Sequence, residues 1–468
     1  MTISSSLANA LSGLTVSGRR AEVVSNNIAN AQTEGYGRRE LATSSGWGGV
    51  QSHGVVRNID RGIINDRRLA ESQLGADQRR ADMLLRLETL IGIPGDGDTI
   101  TGRLADLESA LVSASSDPAS DQRLAAVNTA MKTVVDTLHR TSDGVQILRQ
   151  DADAAIATDV EMLNSSLRQL EQINADISRA SATGMDPSSL LDARHHIVDT
   201  IGAIVPVREL DRGQGQLGLM TVSGMILIDG NASQFGFSST ATIVPEMTLA
   251  SVGLSGLTFN GQPVDADDGF GRLAGGSLAA AFTQRDNTFV DVQNELDKIA
   301  YDMVARFSDS SVDPTIMSLG LLTDNGGVAL PANIIGLASR LSVNSTVDPS
   351  QGGLLSRWRD GVGAVVPGPI GNASQIEGWR TALAVFGGQS VVEKVAILSE
   401  VVSTQRLTAQ TDLSFTAARW DSLHSAELAT GVDTDAELQN LILIEQAYAA
   451  NAKVIQTVNA MIQRLMEI

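Results

Sequence analysis

Both ends of the chain carry apolar heptads that are nearly free of charge. From Ile3 the positions on alternating steps of four and three are Ile3, Leu7, Ala10, Leu14, Ser17, Ala21, Val24 and Ile28, all apolar except Ser17. Leu441, Ile444, Tyr448, Asn451, Ile455, Val458, Ile462 and Leu465 repeat the spacing near the other end, with Asn451 the exception. A 3.5-residue period held over four heptads predicts a coiled-coil seam. The outer faces are unusual. Residues 1–33 contain only Arg19, Arg20 and Glu22 as charged groups, and residues 438–466 only Glu445, Lys453 and Arg464. A surface helix normally sets a charged face against its apolar stripe. A face of Ser, Thr, Asn, Gln and Ala predicts cover by other protein, or a weakly charged lumen. Isolated helices are marginal in water, so the two ends are expected to pair and to gain further order from neighbouring subunits. Asn451 in the seam either specifies register or faces a polar lumen.

The 468 residues suffice for about three domains at ~150 residues each. Between the ends the spacing predicts helices over 66–92, 101–113, 119–183, 188–203, 275–308 and 388–428. From Val205 to Val264 short apolar runs alternate with glycine turns (Leu217–Val222, Met225–Ile228, Met247–Val252, Leu257–Phe259), the pattern of a small β domain. Residues 312–375, rich in Gly, Pro, Ser and Asn, are expected to form loops with one or two short helices. The fold class is therefore mainly α with a β insertion (α+β), with nested ends. Residues 1–35 with 430–468 form a terminal coiled-coil polymerisation domain. Residues 36–204 with 272–311 and 385–429 form a helical rod-like domain, 205–271 a β-rich outer domain, and 312–384 a loop-rich segment without assignment.

Charge and composition narrow the function classes. There are 34 basic and 54 acidic side chains, a net charge of −20, which disfavours nucleic acid and anionic membrane surfaces. Cysteine is absent, so disulfides, thiolate catalysis and Cys-ligated metal are excluded. No stretch of ~18 apolar residues predicts membrane insertion. Met1-Thr2-Ile3-Ser4-Ser5-Ser6 lacks the basic and compact apolar regions of a secretory signal, so no cleaved signal peptide is expected. Aromatic residues make up 3% of the chain, and histidine occurs only at 53, 139, 195, 196 and 424. Pockets for small molecules lean on aromatic walls and a few titratable groups, so this composition favours a structural or interaction protein. No catalytic residue, metal ligand or cofactor is expected.

Individual motifs agree. Gly213-x-Gly215-x-x-Gly218 matches a dinucleotide fingerprint as a pattern, but Leu219–Val222 after it reads as a strand where pyrophosphate needs a helix N-terminus, so it is a hairpin turn. His195-His196 point about 100° apart on a helix, with no third ligand nearby, and read as a polar helix face. Asp265–Gly269 lacks the twelfth-position acid of a calcium loop and reads as a solvated turn. Arginine pairs at 19–20, 38–39, 67–68 and 79–80 lie on different elements and are expected in salt bridges within or between subunits. Asn26, Asn27 and Asn30 read either as helix capping near Gly35 or as subunit contacts.

Two segments carry a resemblance. Ser25–Tyr36 (SNNIANAQTEGY) closely resembles the N-terminal signature of bacterial flagellar axial proteins, the rod, hook and hook-associated group, and Glu445–Thr457 (EQAYAANAKVIQT) is similar to the signature at their other end. Glu34 stands where Pro or another residue is frequent in the group. Gly35–Arg39, Leu190-Leu191-Asp192-Ala193-Arg194, and Ala280–Asn287 with Gln293–Asp297 resemble its hook-associated members more than the strand-dominated hook protein. The resemblance spans roughly residues 1–205, 275–308 and 388–468. It implies a structural protein exported unfolded through the flagellar type III apparatus, polymerising as a ring at the distal hook end and joining hook to filament. Implied partners are copies of itself, the hook protein, a filament-side junction protein, and a cytosolic export chaperone covering the C-terminal helix. The implied location is extracellular, in the flagellum. The expected assembly residues are Ile3, Leu7, Leu14, Val24, Asn26, Asn27, Ile28, Asn30, Gly35 and Tyr36 at one end. At the other they are Leu441, Ile444, Gln446, Tyr448, Asn451, Ile455, Val458, Ile462 and Leu465. Competing readings are the hook or another axial protein, a secreted enzyme whose β insertion stands on a helical stalk, and a cytosolic coiled-coil adaptor. An enzyme would need convergent titratable groups in the insertion, yet 205–270 contains no histidine.

Overall fold

A computed structural model describes all residues except 1–2, 34, 94–95, 214, 252, 267–270, 385–387 and 467–468. Its helices are α1 (Ile3–Ala29), α2 (Arg61–Ile91), α3 (Ile100–Ser116), α4 (Asp121–Thr183), α5 (Ser188–Ile204), α6 (Gly276–Thr283), α7 (Phe289–Phe307), α8 (Leu337–Arg340), α9 (Arg357–Asp360), α10 (Ser374–Leu383), α11 (Val391–Ala429) and α12 (Thr434–Met466). The strands are β1 (Arg38–Gly46), β2 (Gly49–Asn58), β3 (Val207–Gly213), β4 (Gln216–Thr221), β5 (Ile226–Asp229), β6 (Asn231–Ala232), β7 (Phe235–Gly236), β8 (Leu257–Phe259), β9 (Gln262–Val264), β10 (Leu322–Asp324) and β11 (Leu341–Val343). The protein is mainly α with a β insertion.

The spine is α4, 63 residues and about 94 Å long at ~1.5 Å per residue. It begins after Asp117-Pro118 and stops at Gly184, whose left-handed φ of 71° turns its amide back onto the Ala180 and Ser181 carbonyls. Two hydrophobic cores share this helix. Leu124, Met131, Val134 and Leu138 pack with α2, α3, α7 and the start of α11. Ile156, Leu163, Leu167, Leu170 and Ile177 pack instead with α5, α6 and the antiparallel sheets β3-β4-β5-β6 and β7-β8-β9. Between the cores sits a buried ion pair: Arg285 donates to Asp153 at 2.6 Å with both side chains 0% exposed. The Arg285 backbone belongs to a π-helical turn, Gln284–Thr288, between α6 and α7. Its carbonyl accepts from Arg149, which also donates to Met247 O at 2.6 Å. This explains one departure from the sequence reading. Met247–Val252 was expected as a strand, but the Met247 carbonyl is taken by Arg149 and the Thr248 and Ser251 side chains bond the local backbone, so 247–251 forms turns. Val252 and residues 267–270 of the expected Asp-rich turn, like Glu34 and Pro94-Gly95, lie outside the described residues.

Two further segments differ from expectation. Residues 38–58, placed by sequence in a helical domain, form the β1–β2 hairpin, with a register shift between Leu41 and Thr43. The loop-rich segment 312–384, left without assignment from the sequence, joins the main core. It holds the β10–β11 hairpin and α8–α10, and it buries Leu337, Trp358, Ile376 and Trp379 in the same core as α2, α3 and α7. Buried side chains close its irregular backbone. Asp297 of α7 accepts from the Gly336 and Ala338 amides at 2.7 and 2.8 Å, and fully buried Arg306 donates to the carbonyls of Ala382, Ala384 and Gln389.

Arg285 also holds a bidentate pair with Asp286, so Asp153→Ala leaves one buried guanidinium nitrogen without its partner and is expected to lower unfolding stability by about 1–3 kcal/mol. Denaturant titration followed by circular dichroism measures it; Asp151→Ala, in an exposed pair with Arg86, should stay within about 1 kcal/mol of the parent.

Candidate assembly interface

Helices α1 and α12 pack side by side in antiparallel sense: Gly13 lies against Asn451 and Asn27 meets Glu437. The α12 start is fixed by Asp433, whose carboxylate accepts from the Asp435 and Ala436 amides at 3.0 and 3.1 Å. Seam positions of α1 turn inward: Ala10, Ser17 and Val24 are buried and Leu7, Leu14, Ala21 and Ile28 half-buried. On α12, Leu441, Ile444, Asn451, Ile455 and Ile462 are half-buried and Val458 is buried. Asn451 therefore packs in the α1–α12 seam. Its amide lies over Gly13, where a Cβ would come within 2.7 Å of Asn451 Nδ2. Ile3, Tyr448 and Leu465, expected in the seam, are exposed, as is Gln446. A helix at 3.6 residues per turn drifts about 20° per heptad from a 3.5 repeat, which leaves the stripe ends Ile3 and Leu465 uncovered; Tyr448 is exposed although its seam neighbours Ile444 and Asn451 are half-buried.

The helix α12 has more apolar surface than α1 can cover. Leu443, Ala447, Ala450, Val454, Thr457 and Met461 form a second stripe on 4-3 spacing, each one residue before a seam position and so turned by about 100° from it. All six are exposed, and Leu438 and Ile442 extend apolar surface further around the helix. A helix apolar on several sides belongs in a buried setting.

The root of the pair is a polar node. Asn27 is completely buried, and its amide donates to Arg39 O at 2.8 Å and Glu437 Oε1 at 3.2 Å. Its carbonyl oxygen accepts from the Tyr36 hydroxyl at 2.9 Å and the Arg39 amide at 3.0 Å, so both ends of the side chain are satisfied. Buried Glu437 also accepts from Arg38 at 2.8 Å. Burial, opposed by Arg39 stacked over the ring and reinforced by Asp192 and Glu437, raises the Tyr36 pKa above its ordinary value, which keeps the hydroxyl a donor. Asn27, read from the sequence either as helix capping or as a subunit contact, positions the hairpin and α12 within one chain. Asn30 and exposed Asn26 act locally: the Asn30 amide donates to the Asn26 carbonyl at 2.9 Å at the helix end.

A second clamp ties the hairpin to the rod. Asp192 of α5 accepts from Arg57 at 2.7 Å, Arg39 at 2.8 Å and the Gly37 amide at 3.2 Å. Gly35, at φ 75°, abuts the His196 ring, and its carbonyl accepts from Arg57 at 3.0 Å. Beneath it lies a buried ionic cluster. Arg67 and Arg68 of α2 both donate to Asp199, at 2.8 and 2.6 Å; Arg67 also pairs with Glu71 and Glu427, and Arg68 with Glu209. His195 lies 3.4 Å from both Asp199 and Glu427. His195 is thus buried among charges and does not lie on a polar surface face as its sequence suggested. Burial works against the charge on Asp199, but Arg68, His195 and Arg67 outweigh it and hold the carboxyl below its ordinary range. Glu427 is lowered in the same way: burial opposes the shift, while His195 and Arg67 overcome it. A cavity of about 270 Å³ adjoins this cluster, lined in part by Tyr36, His196, Trp420 and Glu427. Among the described residues no group of three His, Asp or Glu is placed to hold a metal, and no helix is long and apolar enough to cross a membrane.

The arginine pairs work within the chain: Arg19 and Arg20 donate to Ser52 and Thr43 of the hairpin, and Arg79 and Arg80 pair with Asp159 and Asp77. What the arrangement does chemically is hold geometry, by pairing buried charges across elements distant in sequence.

The profile described as "Flagellar hook-associated protein FlgK helical domain" matches residues 84–311. "Flagellar basal body rod FlgEFG protein C-terminal" matches 428–468, and "Flagella basal body rod protein" matches 7–36. Flagellar hook-associated protein 1 of Escherichia coli K12 is 26% identical over 61% of this chain and 57% of its own length. The protein of the same name from Bacillus subtilis 168 is 20% identical over 94% of this chain and 93% of its own. The chain thus spans 57% of the enterobacterial relative. The solved flagellar hook junction protein FlgK from Burkholderia pseudomallei aligns with a TM-score of 0.46 at 19% identity, over 56% of this chain and 47% of that one.

Two outcomes are expected of this interface. Asn27→Ala leaves Glu437 and the Tyr36 hydroxyl short of a buried partner, at a cost of about 1–3 kcal/mol; hydrogen exchange should accelerate at 434–440 and 36–40 before it does in α4. For the ionic cluster, folded Asp199 and Glu427 titrate below their ordinary values of 3.8 and 4.5. The unfolded chain therefore takes up protons first as pH falls, and the cluster's stabilisation is full above pH 4.5 and lost on acidification beneath that value. Thermal melting against pH should show this fall, and Asp199→Asn should flatten it.

Proposed function

We propose that this chain, similar to flagellar hook-associated proteins, is a structural subunit of that family, not an enzyme, and that it joins the hook to the filament by polymerising at the distal hook end. The observation that carries the reading is the second apolar stripe of α12, Leu443 to Met461, which one chain leaves in water and neighbouring copies would cover. Residues 1–35 with 430–468 act as the polymerisation domain and the α4-centred rod stands outside it, with 205–271 outermost. The partners are copies of the chain in a ring, the hook protein below, and a filament-side junction protein above. Before export through the type III apparatus the same apolar faces of α12 suit a cytosolic chaperone. The protein then resides outside the cell, in the flagellum.

The test is complementation of a motile strain lacking its own junction protein. Placing a carboxylate in an apolar helix contact costs at least ~1.4 kcal/mol, so Ile455→Asp should lower incorporation about tenfold or more. Exposed Gln463→Asp should assemble like the parent. Equal filament counts by electron microscopy for the two variants would refute the seam's role, and absence of the parent chain from isolated flagella would refute the function.

A further inference from the structure

One large aromatic side chain stands apart from every packed surface. Trp47 occupies the two-residue loop Trp47-Gly48 at the tip of the β1–β2 hairpin and is 105% exposed. The tip that carries it is pinned. Gly49, at φ 118°, lies so close to α1 that a Cβ there would fall 1.9 Å from Ser12 Oγ, and the Val50 amide donates to that hydroxyl at 3.2 Å. Lower down, the Arg19–Ser52 and Arg20–Thr43 hydrogen bonds, at 2.8 and 2.9 Å, lay the hairpin along the same helix. An indole offered from an anchored backbone has little ordering cost left when it binds, and Trp is favoured as an interface anchor.

A cleft of fitting character lies elsewhere on the molecule. It has a volume of about 310 Å³; Val24 of α1, Leu41 of β1, and Leu443 and Ala447 of α12 contribute its apolar walls, with Arg20 and Arg38 among its polar lining. Apolar walls beside guanidinium groups suit an aromatic ring, which takes dispersion contacts on its faces and cation–π attraction from the arginines. The chain's own Trp47 is held beside Ser12, whereas the cleft is at Val24, twelve residues and about 18 Å further along α1.

We propose that Trp47 of one copy inserts into the α1–β1–α12 cleft of a neighbouring copy. The occupant is a second copy because Leu443 and Ala447 belong to the apolar stripe of α12 that assembly is to cover, so the cleft continues that surface. Knob and hole are different patches of one molecule. The contact is therefore heterologous and staggered, the kind that propagates into rings or helices and does not stop at a dimer. The inference rests on the structural-subunit reading above.

The experiment uses the full chain, with p-benzoylphenylalanine replacing Trp47 to keep an aromatic at the tip, in the complemented strain. After irradiation of isolated flagella, the cross-link should join position 47 to residues 20–24, 38–41 or 440–447 of a second copy. Trp47→Ala should lower incorporation about tenfold or more while the purified monomer keeps its circular dichroism, and Trp47→Phe should restore most of it. A cross-link to the hook protein, to the filament-side protein or to another surface of this chain would overturn the proposal and leave the structural role standing. Normal incorporation of Trp47→Ala would do the same. Absence of the parent chain from flagella would remove both.

Discussion

A helix with apolar residues on several sides cannot be satisfied by one neighbour, and α12 is such a helix. Its partner α1 half-covers the seam from Leu441 to Ile462, and among the seam positions only Val458 is fully buried. The second stripe, one position earlier at each step, faces outward. The pair is well defined at its root, where both ends of the Asn27 side chain are hydrogen-bonded and Glu437 accepts from Asn27 and Arg38, and open toward its far end, where Leu465 and Met466 are exposed. That gradient leaves apolar surface uncovered at the far end of the pair.

The joints of the molecule are carboxylates gripped by guanidinium groups. Asp192 fastens the hairpin to α5, Asp199 fastens α2 to α5, and Asp153 locks the π-helical turn to α4. Buried ion pairs add little net stability over apolar packing but are costly to break singly. Their place here is at junctions between elements far apart in sequence, where direction matters more than affinity. The directionality of Arg–carboxylate hydrogen bonds sets the angle at each junction.

Periodicity made the helices legible. The expected helix over 119–183 is observed over 121–183, and that over 188–203 over 188–204. The Leu-Leu-Asp-x-Arg tract was picked out by resemblance, but nothing in its spacing shows that Asp192 grips Arg39 and Arg57, because those partners lie on a hairpin the sequence did not reveal. Strand β2 alternates weakly and buries little, so residues 38–58 gave no period-two signal; the Gly46-Trp47-Gly48-Gly49 turn between β-branched residues was the available cue. Residues 312–384 were unreadable for another reason. Their order comes from buried Asp297, Arg306 and Asp313 bonding irregular backbone, an arrangement without period. His195 was misread because its neighbours come from α2 and α11, far away in the chain.

The length of α4 has a mechanical meaning. One unbroken helix runs through both hydrophobic cores with no proline and no connecting loop between them, so its axial hydrogen bonds couple the two cores directly. A push or twist delivered to the sheets at one end is handed on through a stiff shaft and is not absorbed at a pliant hinge. Bending of the molecule between its two cores must therefore strain the backbone hydrogen bonds of α4 itself.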